Sequence, residues 1–311
     1  MFQNVVVVGA GAVGGFFGAL LHQSGVAVTF LVRPDTQRAI AHRGLEIRSA
    51  DARHGCFTIH PPLISQVSPN TAADLVLLAV KCYDLPVVLE AVAPLVHKGA
   101  TLLTLQNGVD NEARIRAYFS KDCVVEGVTY ITSRLASPGV VEHFRRGSIA
   151  IGETSGDESE RTRKIHRLFS AAHIPCHISR DIRATKWEKL CWNATFNPLS
   201  VILGHPIGLV LDSPLLSEIV RQGVSEVVAV AAAEGISLRP EIVQETLSVS
   251  DLFRDFHTSM YEDYAHGKPT EIESLVGHVI RLGTERTVAT PVLRTLYALV
   301  VGLEQKRTGK A

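Results

Sequence analysis

Gln3-Asn4-Val5-Val6-Val7-Val8-Gly9-Ala10-Gly11-Ala12-Val13-Gly14 is a β-branched run that breaks into a glycine-rich turn, and its reading decides the fold. Phe16, Phe17, Leu20 and Leu21 follow at helical spacing, so the order is strand, glycine turn, helix start. That order is a dinucleotide-binding fingerprint, in which each glycine has its own task. Gly9 makes the tight turn, Gly11 lets backbone approach a pyrophosphate, and Gly14 lets the helix pack close to the strand. Ala12 and Val13 complete the loop, whose free N–H groups and helix dipole favour a phosphate. A spanning or export segment is the competing reading, because no Lys, Arg, Asp or Glu precedes Arg33. It lacks a basic leader, and five glycines between Gly9 and Gly18 would weaken a membrane helix.

Working outward, apolar runs at 5–8, 28–32, 75–80 and 101–105 alternate with helical patterns at 13–24, 84–93 and 111–119. Such alternation predicts a doubly wound parallel sheet. Residues 44–64 read as an extended hairpin closed by Pro61-Pro62. A second extended region covers 124–152, with turn signals at Ser137-Pro138-Gly139 and Arg145-Arg146-Gly147. A helix at 158–172 and a strand at 177–179 follow. Beyond Asp181 only helical patterns remain, at 181–203, 214–234, 240–257, 258–266, 269–282 and 291–306, with Pro at several starts and Gly at several ends. The expected organisation is a Rossmann-like α/β nucleotide domain over 1–180 and an all-helical substrate and catalytic domain over 181–311.

Composition narrows the partners. The chain has 311 residues, with 31 Lys and Arg against 31 Asp and Glu, so no global field attracts nucleic acid or an anionic membrane. Five scattered cysteines without a C-x-x-C pair suit reduced thiols in the cytoplasm. His173, Cys176 and His177 are interrupted by Pro175 and lack further ligands, so no metal site is expected. The oligomeric state stays open, a homodimer included.

The residue closing the second strand faces the adenosine ribose in such a fold. Here it is Arg33, where a carboxylate would select NAD and a guanidinium can pair with a 2′-phosphate. NADPH/NADP+ is therefore the expected cofactor, Asp35 being the residue that a register slip of two would put on the ribose instead. On the helix at 181–203, Lys189, Asn193, Asn197 and Ser200 fall in one sector about 80° wide, with a nearly continuous apolar surface elsewhere. A polar stripe on a buried helix must face partners or a wet cavity. Lys186 lies near the same sector but closer to the charged helix start, where solvation accounts for it.

The stretch from Arg183-Ala184 to Asn197-Pro198-Leu199, read with the glycine motif, resembles the ketopantoate reductase family (2-dehydropantoate 2-reductases). Ala79-Val80-Lys81, Leu105-Gln106-Asn107-Gly108, Ser259-Met260 with Asp263, and Pro269-Thr270-Glu271-Ile272 extend the resemblance over most of the chain. It implies that Lys189 is the general acid and that Glu271, Asn193, Asn197 and Ser259 contact substrate. It also places Asn107 at the junction of cofactor and substrate, and Lys81 on the cofactor side. The implied reaction is NADPH-dependent reduction of 2-dehydropantoate to pantoate, a precursor of pantothenate and coenzyme A. Two positions depart from the family pattern. Glu273 replaces the aspartate of Glu-Ile-Asp, and Phe256 stands where several members present Asn, which admits a paralogous reductase of another 2-oxo acid. A nucleotide-sensing protein without turnover would keep Gly9, Gly11 and Gly14 but have no use for Lys189 and Glu271.

Overall fold

The computed structural model describes residues 2–119, 122–248 and 253–309. The valine run is strand β1 (Asn4–Val8), followed by α1 (Ala12–Gln23), β2 (Ala27–Leu31), α2 (Pro34–Arg43), β3 (Leu45–Ser49), β4 (Cys56–Ile59) and β5 (Leu63–Ile64). Then come β6 (Leu75–Leu78), α3 (Leu85–His97), β7 (Thr101–Thr104), α4 (Asn111–Phe119), β8 (Val124–Ser137), β9 (Val140–Gly152), α5 (Glu160–Ala171) and β10 (Cys176–Ile178). The strands form one sheet in the order β4-β3-β9-β8-β7-β6-β1-β2-β5, with β10 beside β9. From β5 through β2, β1, β6 and β7 to β8 every pairing is parallel. The direction of winding reverses at β1, whose neighbours are β2 and β6, and in open α/β sheets ligands bind at the carboxyl ends of strands beside such a switch point.

Side-chain alternation along these strands supplies two separate cores. Val5, Val7, Leu75 and Leu77 pack with Phe16, Phe17 and Leu20 of α1 and Phe169 of α5. Val6, Val8, Val76 and Leu78 pack with Leu85, Leu89 and Val92 of α3 and Ile115 of α4. Period-two strands buried on both faces need helices on both faces.

The second half is helical: α6 (Ile182–Leu203), α7 (Gly208–Asp212), α8 (Pro214–Ala233), α9 (Ile242–Leu247), α10 (Ser259–Ala265), a π-helical segment (Glu273–Gly277), α11 (His278–Glu285) and α12 (Pro291–Thr308). Its core joins Leu190, Ala194 and Phe196 of α6 with Val224 and Val227 of α8, Val276 and Val279, and Leu293 and Leu296 of α12. A Cβ on Gly223 would come within 2.9 Å of Thr195 Cγ2, so α8 needs glycine where it meets α6. Compact units divide the chain as 1–106 with 111–182, and 107–110 with 183–311, so a short loop from the first half belongs with the helices.

Four expectations are corrected. Residues 34–43, given no element in the sequence, form α2, opened by Pro34 at its first turn. Arg145-Arg146-Gly147 does not reverse the chain; it is a bulge in β9, where Arg146 and Gly147 have φ of 63° and 116° and the register with β8 shifts. The expected helix at 240–257 stops at Leu247, its positions 249–252 lying outside the described residues. The last helix before α12 starts at Ile272 rather than at Pro269.

Candidate active site

The glycine loop fits a dinucleotide by its geometry. Gly9 has φ of 93°, a left-handed conformation that L side chains rarely adopt, and its N–H donates to Leu31 O at 3.0 Å. A Cβ on Gly14 would lie 2.1 Å from Gly9 O and 2.9 Å from Ala79 Cβ, so backbone and helix could not approach as they do. At Gly11 a Cβ would meet nothing within 4 Å. That open space lies at the N-terminus of α1, where no side chain caps the helix, and Ala12 and Val13 begin the helix there half-buried. Residues that turn, approach and leave room suit a pyrophosphate.

Arg33 is the N-cap residue of α2, and its side chain is 76% exposed. Its Nη2 donates to Asp84 Oδ2 at 2.7 Å. Asp35 pairs with Arg38 within α2's first turn. Lys81 precedes the short turn Cys82–Asp84 that leads into α3 and is half-buried.

In the helical unit, Lys189 Nζ donates to Asn107 Oδ1 at 2.9 Å, a contact between residues 82 apart in sequence. Burial lowers the Lys189 ammonium to about 8, with the neighbouring Lys186 adding to the fall and the Glu271 carboxylate opposing it. Glu271 is 5% exposed. Its backbone carbonyl accepts from Leu275 N at 3.0 Å, so it occupies the cap of the following helix rather than its first turn. One turn and two turns beyond Lys189 on α6 lie Asn193 and Asn197, both buried. Asn197 is 2% exposed, and its Nδ2 has no hydrogen-bond partner among the described residues. A buried amide left unpaired costs about 1–3 kcal/mol, which a ligand acceptor would recover.

The structure thus joins Lys189, Asn107 and Glu271 and aligns Asn193 and Asn197 on the same helix. Ser200, on the same stripe, is satisfied within the protein, donating to His205 O at 3.1 Å. Ser259 is exposed at the first position of α10, whose cap is Thr258. Lys186 corrects the sequence reading: it is 5% exposed, not solvated, and bears electrostatically on Lys189. Its place near the polar sector was the signal that could have revealed this. Of the two departures from the family pattern, Glu273 accepts from Tyr297 Oη at 2.7 Å and pairs with Arg281 on the exposed side of the π segment. Phe256 is half-buried, and its backbone carbonyl accepts from Ile207 N at 3.4 Å.

Residues 5–156 match the family model described as ketopantoate reductase PanE/ApbA, and residues 181–304 match that of the C-terminal part of the same family. The chain belongs to this family. It is therefore an oxidoreductase of the ketopantoate reductase type, with an N-terminal α/β domain and a largely helical C-terminal domain. It is 30% identical to the uncharacterized oxidoreductase YkpB of Bacillus subtilis, over 95% of this chain and 97% of that one. A crystal structure of 2-dehydropantoate 2-reductase from Geobacter metallireducens is 33% identical with a TM-score of 0.90, covering 97% and 99% of the two chains. D-mandelate dehydrogenase, solved in a ternary structure with NADH and anilino(oxo)acetate, is 28% identical with a TM-score of 0.92 over 98% and 99%. Among the described residues no helix is long and apolar enough to cross a membrane, and no group of three His, Cys, Asp or Glu side chains could hold a metal.

Proposed function

We propose that the protein reduces the ketone of 2-dehydropantoate to pantoate with NADPH, in the cytoplasm, on the route to pantothenate and coenzyme A. The observation that carries this reading is the Lys189 ammonium held on Asn107 Oδ1, lowered by burial and facing the Glu271 carboxylate. NADPH supplies the hydride when bound. Gly9, Gly11, Ala12, Val13 and Gly14 would hold its pyrophosphate, Arg33 would pair with its 2′-phosphate, and Lys81, just before the turn Cys82–Asp84, would contact it.

Hydride addition to a ketone leaves negative charge on oxygen. An ammonium at that oxygen stabilises the charge and delivers the proton, and a lowered lysine donates it more readily at neutral pH. Asn107 fixes the lysine by accepting from one of its N–H groups. Asn197 Nδ2, without a partner among the described residues, donates to the substrate's carboxylate together with Asn193, and Glu271 accepts from the substrate's hydroxyl. Ser259 contacts the substrate from the start of α10.

A second reading has its own support. Phe256 in place of the family's Asn, and the likeness to a D-mandelate dehydrogenase, favour a 2-oxo acid with an apolar or aryl side chain. Steady-state rates with 2-dehydropantoate, 2-oxoisovalerate and benzoylformate separate the two. A buried carboxylate deprived of its hydroxyl partner costs about 1–3 kcal/mol, so 2-dehydropantoate should exceed 2-oxoisovalerate in kcat/KM by roughly 10-fold to 100-fold. Benzoylformate turned over faster than 2-dehydropantoate would establish the second reading in place of the first.

A further inference from the structure

Asp84 has no task in the reading above, yet its carboxylate meets the side chain expected to choose the cofactor. Arg33 ends the chain segment that leaves β2, and Asp84 ends the turn that leaves β6. Both lie in the α/β unit, in the segments that follow the two strands flanking β1. Asp84 is the N-cap residue of α3 but does not cap it; no side-chain hydrogen bond reaches the helix N–H groups. The Oδ2 oxygen instead accepts from Arg33 Nη2 at 2.7 Å, and the Asp84 side chain is the less exposed of the pair, 29% against 76%. A carboxylate that serves its own helix would be found on the N–H groups of the first turn. This one is spent on a guanidinium.

We propose that Asp84 is a cofactor-specificity residue that weakens selection for the 2′-phosphate and admits NADH beside NADPH. This rests on the reading that Arg33 faces the adenosine ribose. The guanidinium has five N–H donors, so it can keep Asp84 and still offer an edge to a phosphate. The phosphate, carrying nearly two negative charges, then lies one guanidinium away from a carboxylate, and the repulsion offsets part of the gain from Arg33. With NADH there is no 2′-phosphate for the same carboxylate to repel, and it can accept from a ribose 2′-hydroxyl. Arg33 favours NADPH and Asp84 opposes it.

Equilibrium titration of NADPH and NADH by their own fluorescence, without a 2-oxo acid, tests this without reference to turnover. The proteins are the wild type, Asp84→Asn, Asp84→Glu and Arg33→Ala. Asn keeps the shape and removes the charge, and Glu keeps the charge. Asp84→Asn should tighten NADPH by roughly twofold to fivefold, the scale of a solvent-exposed charge contact, and leave NADH unchanged or weaker. Asp84→Glu should stay near the wild-type ratio. The gain in Asp84→Asn should shrink at about 0.5 M salt, where exposed charges are screened. If Arg33→Ala selectively weakens NADPH while Asp84→Asn leaves the NADPH-to-NADH ratio within twofold of wild type, the proposal is overturned and the reading of Arg33 stands. If Arg33→Ala weakens both cofactors alike, that reading fails and the proposal with it.

Discussion

Lys189 is a lysine whose environment does chemical work on it. Burial disfavours the ammonium and Glu271 favours it; burial wins, leaving the group at about 8. As the proton donor it must be charged, so kcat/KM for a 2-oxo acid should be level below this value and fall as pH rises through about 8, because the fraction of ammonium falls. A profile flat to pH 10 would exclude Lys189 as the acid. Replacing Lys189 with Ala should lower kcat by roughly 10²–10⁴-fold with cofactor affinity nearly intact, read by steady-state kinetics beside a fluorescence titration. Lys186 is buried as well and acts on it through its charge. Its charge helps depress Lys189, so Lys186→Met should shift the basic limb of the profile to higher pH without abolishing it, whereas Lys189→Ala removes it.

At the scale of elements, the glycine loop separates what the fold requires from what a ligand requires. Gly14→Ala would force a methyl group against Gly9 O and Ala79, displacing backbone, and should lower stability by about 1–3 kcal/mol or more. Gly11→Ala meets open space and should leave the melting temperature near wild type while weakening cofactor binding. A loss of stability in Gly11→Ala equal to that in Gly14→Ala would show that the loop's shape, not room for phosphate, dictates both glycines. This loop was legible in the sequence because strand, turn and helix each carry their own local signal there. Elements with weak signals were not. In α2 only Ile40 is buried, so its ten residues show little apolar period. The bulge at Arg146 follows from pairing with β8, and no local pattern around Arg145-Arg146-Gly147 distinguishes it from a turn. Pro269 marks a helix start in sequence, but the helix waits until Ile272, and Glu271 moves from first turn to cap. The stripe on α6 was read from spacing alone, while the partner of Lys189 was not, since Asn107 and Lys189 are 82 residues apart.

On the scale of the whole molecule, each unit buries its own core, and the α/β unit carries partly or fully buried histidines that make its stability depend on pH, His143 the most enclosed of them. His143 is fully buried on β9, stacked on Phe16 of α1 with ring centroids 4.2 Å apart. Its Nε2 is 3.0 Å from Arg146 O, an atom that can only accept, so Nε2 carries a hydrogen and ties down the bulge. Its Nδ1 lies 2.8 Å from Ser49 Oγ. Burial holds His143 below its ordinary value, the backbone carbonyl of Arg146 pulls the other way, and the nearby His54 adds to the lowering. Burial likewise lowers His54. The folded protein therefore takes up these protons less readily than the unfolded chain. Stability is complete above the ordinary histidine value of about 6.5 and declines as pH falls through it toward the lower folded values. Urea unfolding at pH 7.5 and pH 5.5, followed by hydrogen exchange in β9 and α1, should show a lower midpoint in acid. His143→Gln keeps a donor and an acceptor but cannot titrate. It should be less stable than wild type at pH 7.5 and lose less on acidification. An equal acid loss in the variant would assign the pH dependence to other groups, with His54 the first to replace.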